Sequence, residues 1–262
     1  MRFAMRRGLE SATATLLLFT ALLFFAPDAL SHPQSPVILF DEGHGMHFII
    51  GKDGPLDLSQ LADLIRQQGA VVAGGREKLT GSSLADKKAL IISGPFTPYS
   101  KEEIEALVNF VLEGGKLAIM LHIPMPVYSL LLRFNVLASK GVIRERNNII
   151  EHKDVYFQTN ALFPHMLTGD LKRFSLYGAW GLLNTKPNVH ILAETSPQAW
   201  IDLNGNNRKD KTERAQSFAM VVAGRLGKGE YLIFGDDAIF QNRFLVAENR
   251  KLATNLAAWL LQ

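Results

Sequence analysis

Short, continuous apolar runs alternate along this sequence with amphipathic stretches, and this alternation restricts the folds that the chain can adopt. The clearest apolar runs are residues 37–40 (VILF), 88–93 (KALIIS) and 117–121 (LAIML). A strand that is apolar without alternation is covered on both faces, which is typical of a parallel sheet between two layers of helices. The sequence therefore predicts an α/β fold with a mostly parallel sheet.

Helix start and stop signals lie between these strands. Ser100 and Glu103 form a capping box ahead of an apolar stripe, and Gly114 and Gly115 end that stripe. A segment that begins at Asp57 resembles a second capping box. Helices are therefore predicted over residues 57–68, 100–113, 127–138 and 248–261.

The C-terminal part of the chain predicts a β-hairpin. Residues 217–222 and 230–234 have the composition of strands, and the segment between them contains three glycines at positions 224, 227 and 229. Glycine suits turn conformations, so these positions indicate a turn rather than a phosphate-binding loop. Residues 140–188 predict only several short strands and turns, and the simplest organisation is a single domain over residues 36–262.

The first 31 residues have the layout of a secretory signal peptide. Three arginines precede an apolar run over residues 12–26, and Ala29 and Ser31 offer small side chains at the cleavage positions. The apolar run is shorter than the about 20 residues of a membrane-spanning helix, which favours a cleaved signal over an uncleaved anchor. Both interpretations predict that the domain is periplasmic or secreted.

Composition excludes several classes of protein. The chain has no cysteine, so a disulfide framework, a thiolate metal site and a cysteine nucleophile are all excluded. Lys and Arg number 28 against 25 for Asp and Glu, which gives a formal net charge of +3. This charge is too small and too mixed to indicate a nucleic-acid partner.

Polar and aromatic side chains follow the predicted parallel strands. Ligands of an open parallel sheet bind beyond the carboxyl ends of its strands, so these side chains are the candidates for a binding site. They can also cap helix ends and shape loops, and both interpretations stay open. No His-Glu-x-x-His or Gly-x-Ser-x-Gly motif occurs, which favours binding or structure over catalysis. The candidate ligand-binding residues are Asp41, Glu42, His44, Phe96, His122 and Asp236.

A metal-dependent hydrolase is the alternative function for the same residues. Asp41, His44 and Asp236 would hold the metal, and Glu42 or His122 would move protons. Such a set of oxygen and nitrogen ligands needs no sulfur.

Residues 202–213 (DLNGNNRKDKTE) follow the ligand order of a calcium-binding loop. Oxygen-bearing side chains stand at positions one, three, five, nine and twelve, although Asn207 stands at position six, where glycine is usual. The flanking residues predict strands rather than the two helices of an EF-hand. A structural calcium site and an ordinary polar hairpin loop both remain open. The predicted ligands are Asp202, Asn204, Asn206, Arg208, Asp210 and Glu213.

Three stretches resemble the class I glutamine amidotransferase-like superfamily, and within it the domain of gliding-motility and ABC-transporter accessory proteins and of an intraflagellar-transport subunit. They are residues 41–45 (DEGHG), 100–115 and 227–236 (GKGEYLIFGD). The resemblance implies a flavodoxin-like three-layer α/β/α fold and a binding or scaffolding role. Amidotransferase chemistry is not implied, because it requires a cysteine on a strand-to-helix turn and His122 stands near that place.

These observations together predict an exported, non-catalytic binding or accessory domain. Its partner would be a small polar ligand or a protein of membrane transport or the cell envelope. Calcium, bound by residues 202–213, is the only cofactor that the sequence suggests.

Overall fold

Strands and helices alternate over the first half of the described chain. A computed structural model describes residues 35–262, and the secretory signal predicted over residues 1–31 lies outside the described residues. The strands of this half are β1 (Val37–Asp41), β2 (Val71–Gly75), β3 (Ala89–Ser93) and β4 (Lys116–Met120). The helices are α1 (Ser59–Gln67), α2 (Gly81–Leu84), α3 (Lys101–Leu112) and α4 (Tyr128–Arg133).

The second half consists of strands until a final helix, α5 (Ala247–Leu261). The strands are β5 (Val136–Arg144), β6 (Ile149–Ile150), β7 (Lys153–Thr159), β8 (Ala161–Leu162), β9 (Phe174–Tyr177), β10 (Trp180–Asn184), β11 (Val189–Glu194), β12 (Trp200–Ile201), β13 (Ala219–Leu226) and β14 (Gly229–Phe234). Short 3-10 helices cover Met125–Val127 and Ala238–Phe240.

Eleven of these strands form one mixed sheet. Its order is β12-β5-β10-β13-β14-β4-β3-β1-β2, and β11 pairs with both β13 and β8. The β1–β2, β1–β3, β3–β4 and β4–β14 pairs are parallel, whereas the other pairs of this sheet are antiparallel. Strands β6, β7 and β9 form a separate three-stranded antiparallel sheet.

The expectation of a mostly parallel, flavodoxin-like three-layer sandwich is wrong. The large sheet is mixed, and its antiparallel pairs outnumber its parallel ones. The physical reason lies in the connections. Helices α1, α2 and α3 connect β1 to β4, as parallel pairing requires, whereas β5 to β14 follow one another with no α-helix between them. The long apolar runs that indicated parallel strands all belong to the first half.

Local sequence signals predicted some helix ends correctly and missed others. The capping box of Ser100 and Glu103 is confirmed, because each side chain accepts a hydrogen bond from the backbone of the other residue. Helix α1 begins at Ser59, since the Asp57 carboxylate instead accepts two backbone N–H groups of the preceding loop. The first turn of α1 is capped from far along the chain by Asn242, whose Oδ1 accepts the Gln60 N–H at 3.0 Å.

The helix predicted over residues 127–138 is shorter than expected. Helix α4 ends at Arg133, and Asn135 then adopts a φ of 60° before β5 begins at Val136. Asparagine tolerates this left-handed conformation better than most residues, so it ends the helix. The hydroxyl of Tyr231 donates a hydrogen bond of 2.8 Å to the carbonyl of Phe134 and holds the turn in place.

Both faces of the large sheet carry a hydrophobic core. Helices α1 and α5 pack on one face, where the three-stranded sheet adds Phe157 and Phe174. Helices α3 and α4 pack on the other face. Each buried aliphatic or aromatic side chain contributes about 1.5–3 kcal/mol to folding, so these two layers fix the strand positions that carry the loops. Central strand residues on the two faces include Phe40, Ile91, Met120, Leu90, Ile119 and Ile233.

The hairpin predicted near the C-terminus is confirmed, although its strands are longer than expected. Strands β13 and β14 pair from Val221–Phe234 to Leu226–Gly229. Gly227 in the turn has a φ of +59°, and a Cβ atom there would lie 2.5 Å from the carbonyl oxygen of Leu112. Both the conformation and the close approach therefore require glycine at this turn.

Helix length limits which of the described segments could cross a membrane. Helix α5 has 15 residues, whereas a helix that crosses a bilayer needs about 20. Within residues 35–262, no helix is both long enough and apolar enough to span a membrane.

Candidate functional site

The loops that follow the parallel strands meet at one edge of the large sheet. Strands β14, β4, β3 and β1 are neighbours that run in the same direction, so their carboxyl ends lie side by side. The segments after these ends are residues 235–246, 121–127, 94–100 and 42–58, and together they are called the loop edge. Ligands of parallel sheets bind at such edges.

His122 and Asp237 form an ion pair at the loop edge. The Nδ1 atom of His122 lies 3.2 Å from Oδ1 of Asp237, and the two side chains are 39% and 2% exposed. The indole Nε1 of Trp180 donates a hydrogen bond of 2.9 Å to the carbonyl of His122 and fixes its backbone. With the proton on Nδ1 directed to the carboxylate, Nε2 is left to interact with a ligand.

Aromatic rings surround the imidazole of His122. The ring centroids of Phe48 and Phe96 lie 5.3 Å and 5.2 Å from it. His47 packs edge-on against Phe96 at 4.6 Å, and Phe96 is 37% exposed. The loop edge therefore presents a partly exposed imidazole beside a partly exposed phenyl ring.

Three ionisable groups at this position hold their protons more tightly than usual. The hydrogen bond that His122 donates to Asp237 raises the pKa of His122, against an opposing effect of burial. Burial raises the pKa of Asp237, and it raises the pKa of Asp236 to about 7. Asp236 accepts hydrogen bonds from the backbone N–H groups of Tyr177 and Ala238. Each of the three groups affects the charge state of the other two, so they titrate as one coupled cluster.

Gly94 brings the end of β3 directly against this ion pair. Its φ is +62°, and a Cβ atom there would lie 2.5 Å from Oδ2 of Asp237 and 3.1 Å from Cβ of His122. The Oδ2 atom of Asp237 is buried and has no hydrogen-bond partner. An unpaired buried polar atom costs about 1–3 kcal/mol, and such unfavourable features concentrate at functional sites.

Asp41 and His44 belong to a separate, buried cluster. Nδ1 of His44 lies 2.7 Å from Oδ2 of Asp41, and its Nε2 lies 3.1 Å from Oε1 of Glu103. The hydroxyl of Tyr99 donates to the same Asp41 oxygen, and the Tyr99 ring stacks on His44 at 3.8 Å. Burial acts to lower the pKa of His44, but Asp41 and Glu103 outweigh it and the pKa is raised. Both ring nitrogens are engaged, so this cluster joins the β1 loop to the start of α3.

The carboxylate of Glu42 stabilises the loop that follows β1. Its Oε1 accepts the backbone N–H of Ile50 at 3.1 Å, and its Oε2 lies 3.7 Å from Nε of Arg76. Gly74 makes room for this side chain, since a Cβ atom there would lie 2.7 Å from Cδ of Glu42. Glu42 therefore connects the β1 loop to the residue that follows strand β2.

The structure divides the six predicted ligand-binding residues. The rings of Phe96 and His122 are in contact at the loop edge, and Asp236 lies buried beside Asp237. Asp41, Glu42 and His44 stabilise loops. The metal-binding set predicted for a hydrolase is divided in the same way, because its two members from the β1 loop bind Tyr99 and Glu103 while Asp236 binds backbone N–H groups. In residues 35–262, no three His, Asp or Glu side chains are arranged to hold a metal ion.

The predicted set of ligand-binding residues leaves out Asp237 and Phe48. Asp237 directly follows Asp236, so a pair of acids after a strand was the available signal, but the sequence does not tell which one faces His122. Phe48 and Tyr99 carried no signal, because their partners lie far along the chain. Glu103 was interpreted only as a helix cap, although its second oxygen also reaches His44.

The predicted calcium loop is compact and is held by hydrogen bonds between its own side chains and backbone. The carboxylate of Asp202 accepts the backbone N–H groups of residues 205, 206 and 207 at 2.8–3.2 Å. The carboxylate of Glu213 accepts those of Leu203 and Asp210, each at 2.8 Å. Asn207 has a φ of 61°, so it adopts the conformation for which glycine is usual.

The other predicted ligands of this loop also bind within it. The Nδ2 atoms of Asn204 and Asn206 lie 2.6 Å and 3.0 Å from Oδ2 of Asp210. Arg208 donates its backbone N–H to Oδ1 of Asn206 at 2.8 Å. The Nε of Arg144 lies 3.4 Å from Oδ2 of Asp202, so a guanidinium supplies positive charge beside the loop. Calcium binding by residues 202–213 stays a prediction.

Similarity to known proteins gives the family of the chain. Residues 52–257 match the family described as "Domain of unknown function (DUF4350)", and the matched segment includes His122, Asp236 and Asp237. The chain belongs to the DUF4350 family. No curated protein shows significant sequence similarity to this DUF4350 chain.

Several solved structures share the fold of the DUF4350 chain. The mmIFT52 N-terminal domain has a TM-score of 0.69 and 16% identity, covering 86% of this chain and 97% of that chain. The cytoplasmic protein STM1381 from Salmonella typhimurium LT2 has a TM-score of 0.53 and 15% identity, covering 87% and 100%. A ThuA-like protein from Parabacteroides merdae has a TM-score of 0.50 and 10% identity, covering 87% and 91%. Identities this low indicate a shared fold alone.

The assignment to the class I glutamine amidotransferase-like superfamily is wrong. The family that matches is DUF4350, and the similar structures include the mmIFT52 N-terminal domain and a ThuA-like protein. The motifs that carried the resemblance have local structural roles. His44 of the first motif binds Asp41 and Glu103, and Gly227 of the last motif forms a hairpin turn.

Proposed function

We propose that this DUF4350 chain is an exported, non-catalytic binding domain whose ligand site is the loop edge around His122. The ligand class is a compact ring compound that carries hydroxyl groups. The observation that carries the proposal is the partly exposed imidazole of His122, held by the buried Asp237 and flanked by the rings of Phe48 and Phe96.

The chemistry of His122 favours a hydroxyl group. When the imidazole is neutral with its proton on Nδ1, Nε2 accepts a hydrogen bond, and when it is protonated Nε2 donates one. A hydroxyl group both donates and accepts, so it pairs with His122 in either state. A ligand ring can in addition stack on the exposed face of Phe96.

The charges at the site favour a neutral ligand. Asp237 lies directly behind the imidazole and balances a positive charge on it, and the carboxyl of Asp236 is buried next to both. An anionic ligand would therefore meet an imidazolium whose charge the carboxylate of Asp237 already balances, and it would gain little attraction. An uncharged, hydroxylated ring needs no net positive charge at the site and still uses the hydrogen-bonding nitrogen.

Hydrogen bonds within the protein support binding rather than catalysis. Asp41 and His44, which a hydrolase would use as metal ligands, already bind Tyr99 and Glu103. The hydroxyl of Ser93, at the end of β3, is buried and is therefore not presented to a substrate as a nucleophile. A transition metal that stays with the purified protein and is lost in His44→Ala would support the metal-dependent hydrolase instead.

Export rests on the signal layout of residues 1–31. N-terminal sequencing of the protein recovered from the cell envelope tests it, and the expected first residue follows Ser31. Recovery of the protein in the cytoplasm with its first 31 residues intact would contradict export. A protein partner in the envelope stays a prediction from the sequence alone.

Isothermal titration calorimetry with D-glucose and with phenol tests the ligand site, because both probes carry a hydroxyl group on a ring. At least one probe is expected to bind saturably. His122→Ala and Phe96→Ala are each expected to weaken that binding by about tenfold, which corresponds to about 1.4 kcal/mol. Leu183→Ala removes a side chain that is 60% exposed on strand β10 and serves as the matched control. Equal affinity in all four proteins would contradict the proposal.

A further inference from the structure

A separate cavity lies near the opposite edge of the large sheet, at the amino ends of β4 and β14. Its volume is about 260 Å³. Strands β11, β13 and β14 form its floor, and residue His165 and the α5 residue Trp259 form part of its wall. The polar side chains that line it are His165, His190, Arg225 and Glu230.

One small side chain creates the hollow. Ala223 of β13 stands opposite His190 of β11 and opposite Leu232 of β14 in the same cross-strand row. Because paired residues on neighbouring strands point to the same face, the short methyl group of Ala223 leaves space between two longer side chains. A large residue at position 223 would fill that space.

The row beneath the hollow carries two positive charges and one negative charge. Arg225, Glu230 and Lys116 stand directly opposite one another on β13, β14 and β4. Nε of Arg225 lies 3.8 Å from Oε1 of Glu230, and Nζ of Lys116 lies 3.3 Å from its Oε2. Lys116 is 8% exposed and also donates a hydrogen bond of 2.7 Å to the carbonyl of Trp259. One carboxylate shared by two cations leaves the row with a net positive charge.

His165 adds a hydrogen-bond donor with a fixed direction. Its Nδ1 accepts the backbone N–H of Leu167 at 3.0 Å, so the proton of the neutral imidazole is on Nε2. Burial lowers the pKa of His165, with Lys116 and His190 acting in the same direction against Glu230. The imidazole is therefore neutral at ordinary pH and offers one N–H group.

We propose that this cavity is a second binding site, which takes a small carboxylate with a short apolar body. The carboxylate accepts hydrogen bonds from Nε2 of His165 and from the guanidinium of Arg225, and the excess positive charge of the row favours an anion. Leu192 and Trp259, which also line the cavity, suit the apolar body. This site shares no residue with the loop edge, so the two proposals are independent.

Butyrate is the probe, and n-butanol and inorganic phosphate are its controls at equal ionic strength. Imidazole ¹H–¹⁵N spectra of the purified full-length protein follow His165 and His190 during each titration. Butyrate is expected to shift these resonances saturably, whereas n-butanol and phosphate are expected to leave them unchanged.

Two variants locate the binding. Arg225→Gln removes one charge from a side chain that is 73% exposed and is expected to weaken butyrate binding at least fivefold. Ala223→Leu fills the hollow and is expected to abolish binding, and Arg225→Gln alone decides the result where that variant does not fold. Arg250→Gln, on an exposed residue of α5, is the matched control and is expected to bind like the wild type.

Four results would overturn the proposal. They are the absence of a saturable shift with butyrate, equal shifts with n-butanol, binding of phosphate without butyrate, and wild-type affinity in Arg225→Gln. None of them bears on the binding of D-glucose or phenol at the loop edge.

Discussion

The Oδ1 atom of Asp237 lies 3.2 Å from Nδ1 of His122, and this contact joins the loop after β14 to the loop after β4. The contact decides which nitrogen of His122 faces outward and how tightly the imidazole holds its proton. Gly94, at the end of β3, packs against the same pair. Because glycine has no Cβ atom, it leaves space for the other oxygen of Asp237.

Asp237→Asn is expected to lower the pKa of His122. The hydrogen bond to the carboxylate is the largest cause of the raised value, and an amide keeps the shape but removes the charge. An NMR titration of the His122 imidazole measures the pKa directly. Asp63→Asn changes an acid that is 60% exposed on α1 and is expected to leave it unaltered. A His122 pKa that is equal in wild type and Asp237→Asn would show that the pair has no electrostatic role.

Asp236→Asn is expected to become more stable relative to the wild type as the pH rises. The pKa of Asp236 is raised to about 7 by burial, so the folded protein keeps a proton that the unfolded chain loses near pH 4. The free energy of unfolding of the wild type therefore falls, by at most about 1.4 kcal/mol per pH unit for this one proton, as the pH rises through that interval.

Urea denaturation of both proteins at several pH values from about 5 to 8 measures this effect. The comparison cancels the contributions of groups outside this cluster, such as His44, whose raised pKa acts in the same direction. A difference in unfolding free energy that stays constant over this range would contradict the buried, protonated state of Asp236.

Gly94→Ala is expected to destabilise the protein and to disturb the site together. A Cβ atom at position 94 would lie 2.5 Å from Oδ2 of Asp237, and the φ of +62° is unfavourable for alanine. The expected loss is about 1–3 kcal/mol in the free energy of unfolding, with a changed His122 resonance. Gly51→Ala is the control, since no atom lies within 4 Å of its Cβ position. Equal unfolding free energies for the two variants would contradict the close contact.

The sequence predicted the local elements better than it predicted their arrangement. The apolar runs at β1, β3 and β4 and the capping box at Ser100 are local signals, and each lies where it was expected. The antiparallel half depends on how strands separated by short loops pair, and no apolar run marked that pairing in residues 140–188. The parallel pairing that is correct for the first half was therefore predicted for the whole sheet, which is in fact mixed.

The candidate site was predictable to the same degree. His122 and Phe96 follow strand ends, so the rule for parallel sheets identified them. To select Asp237, one must know which of two adjacent acids turns toward His122, and the sequence does not show this. The role of His44 was hidden because its partner Glu103 lies 59 residues further along the chain.

The loop over residues 202–213 gives a prediction that comes from the sequence alone. Calcium is expected to raise the melting temperature of the wild type but not of an Asp202→Asn, Glu213→Gln double variant, which keeps the side-chain shapes. Calcium at one hundred times its dissociation constant would add about 2.7 kcal/mol to the free energy of unfolding. Magnesium at the same ionic strength is the control for a general salt effect. An unchanged melting temperature of the wild type would leave Arg144 and the hydrogen bonds of the loop as its only stabilisation.

The most direct test of the loop-edge site is the ¹⁵N signal of Nε2 in His122 during titration with D-glucose and with phenol. His44 is an internal control in the same spectrum, because both of its ring nitrogens bind buried carboxylates. The proposed function predicts a saturable shift of His122 Nε2 with at least one probe and no shift of His44. A spectrum in which His122 Nε2 does not respond to either probe would contradict the assignment of the loop edge as the ligand site.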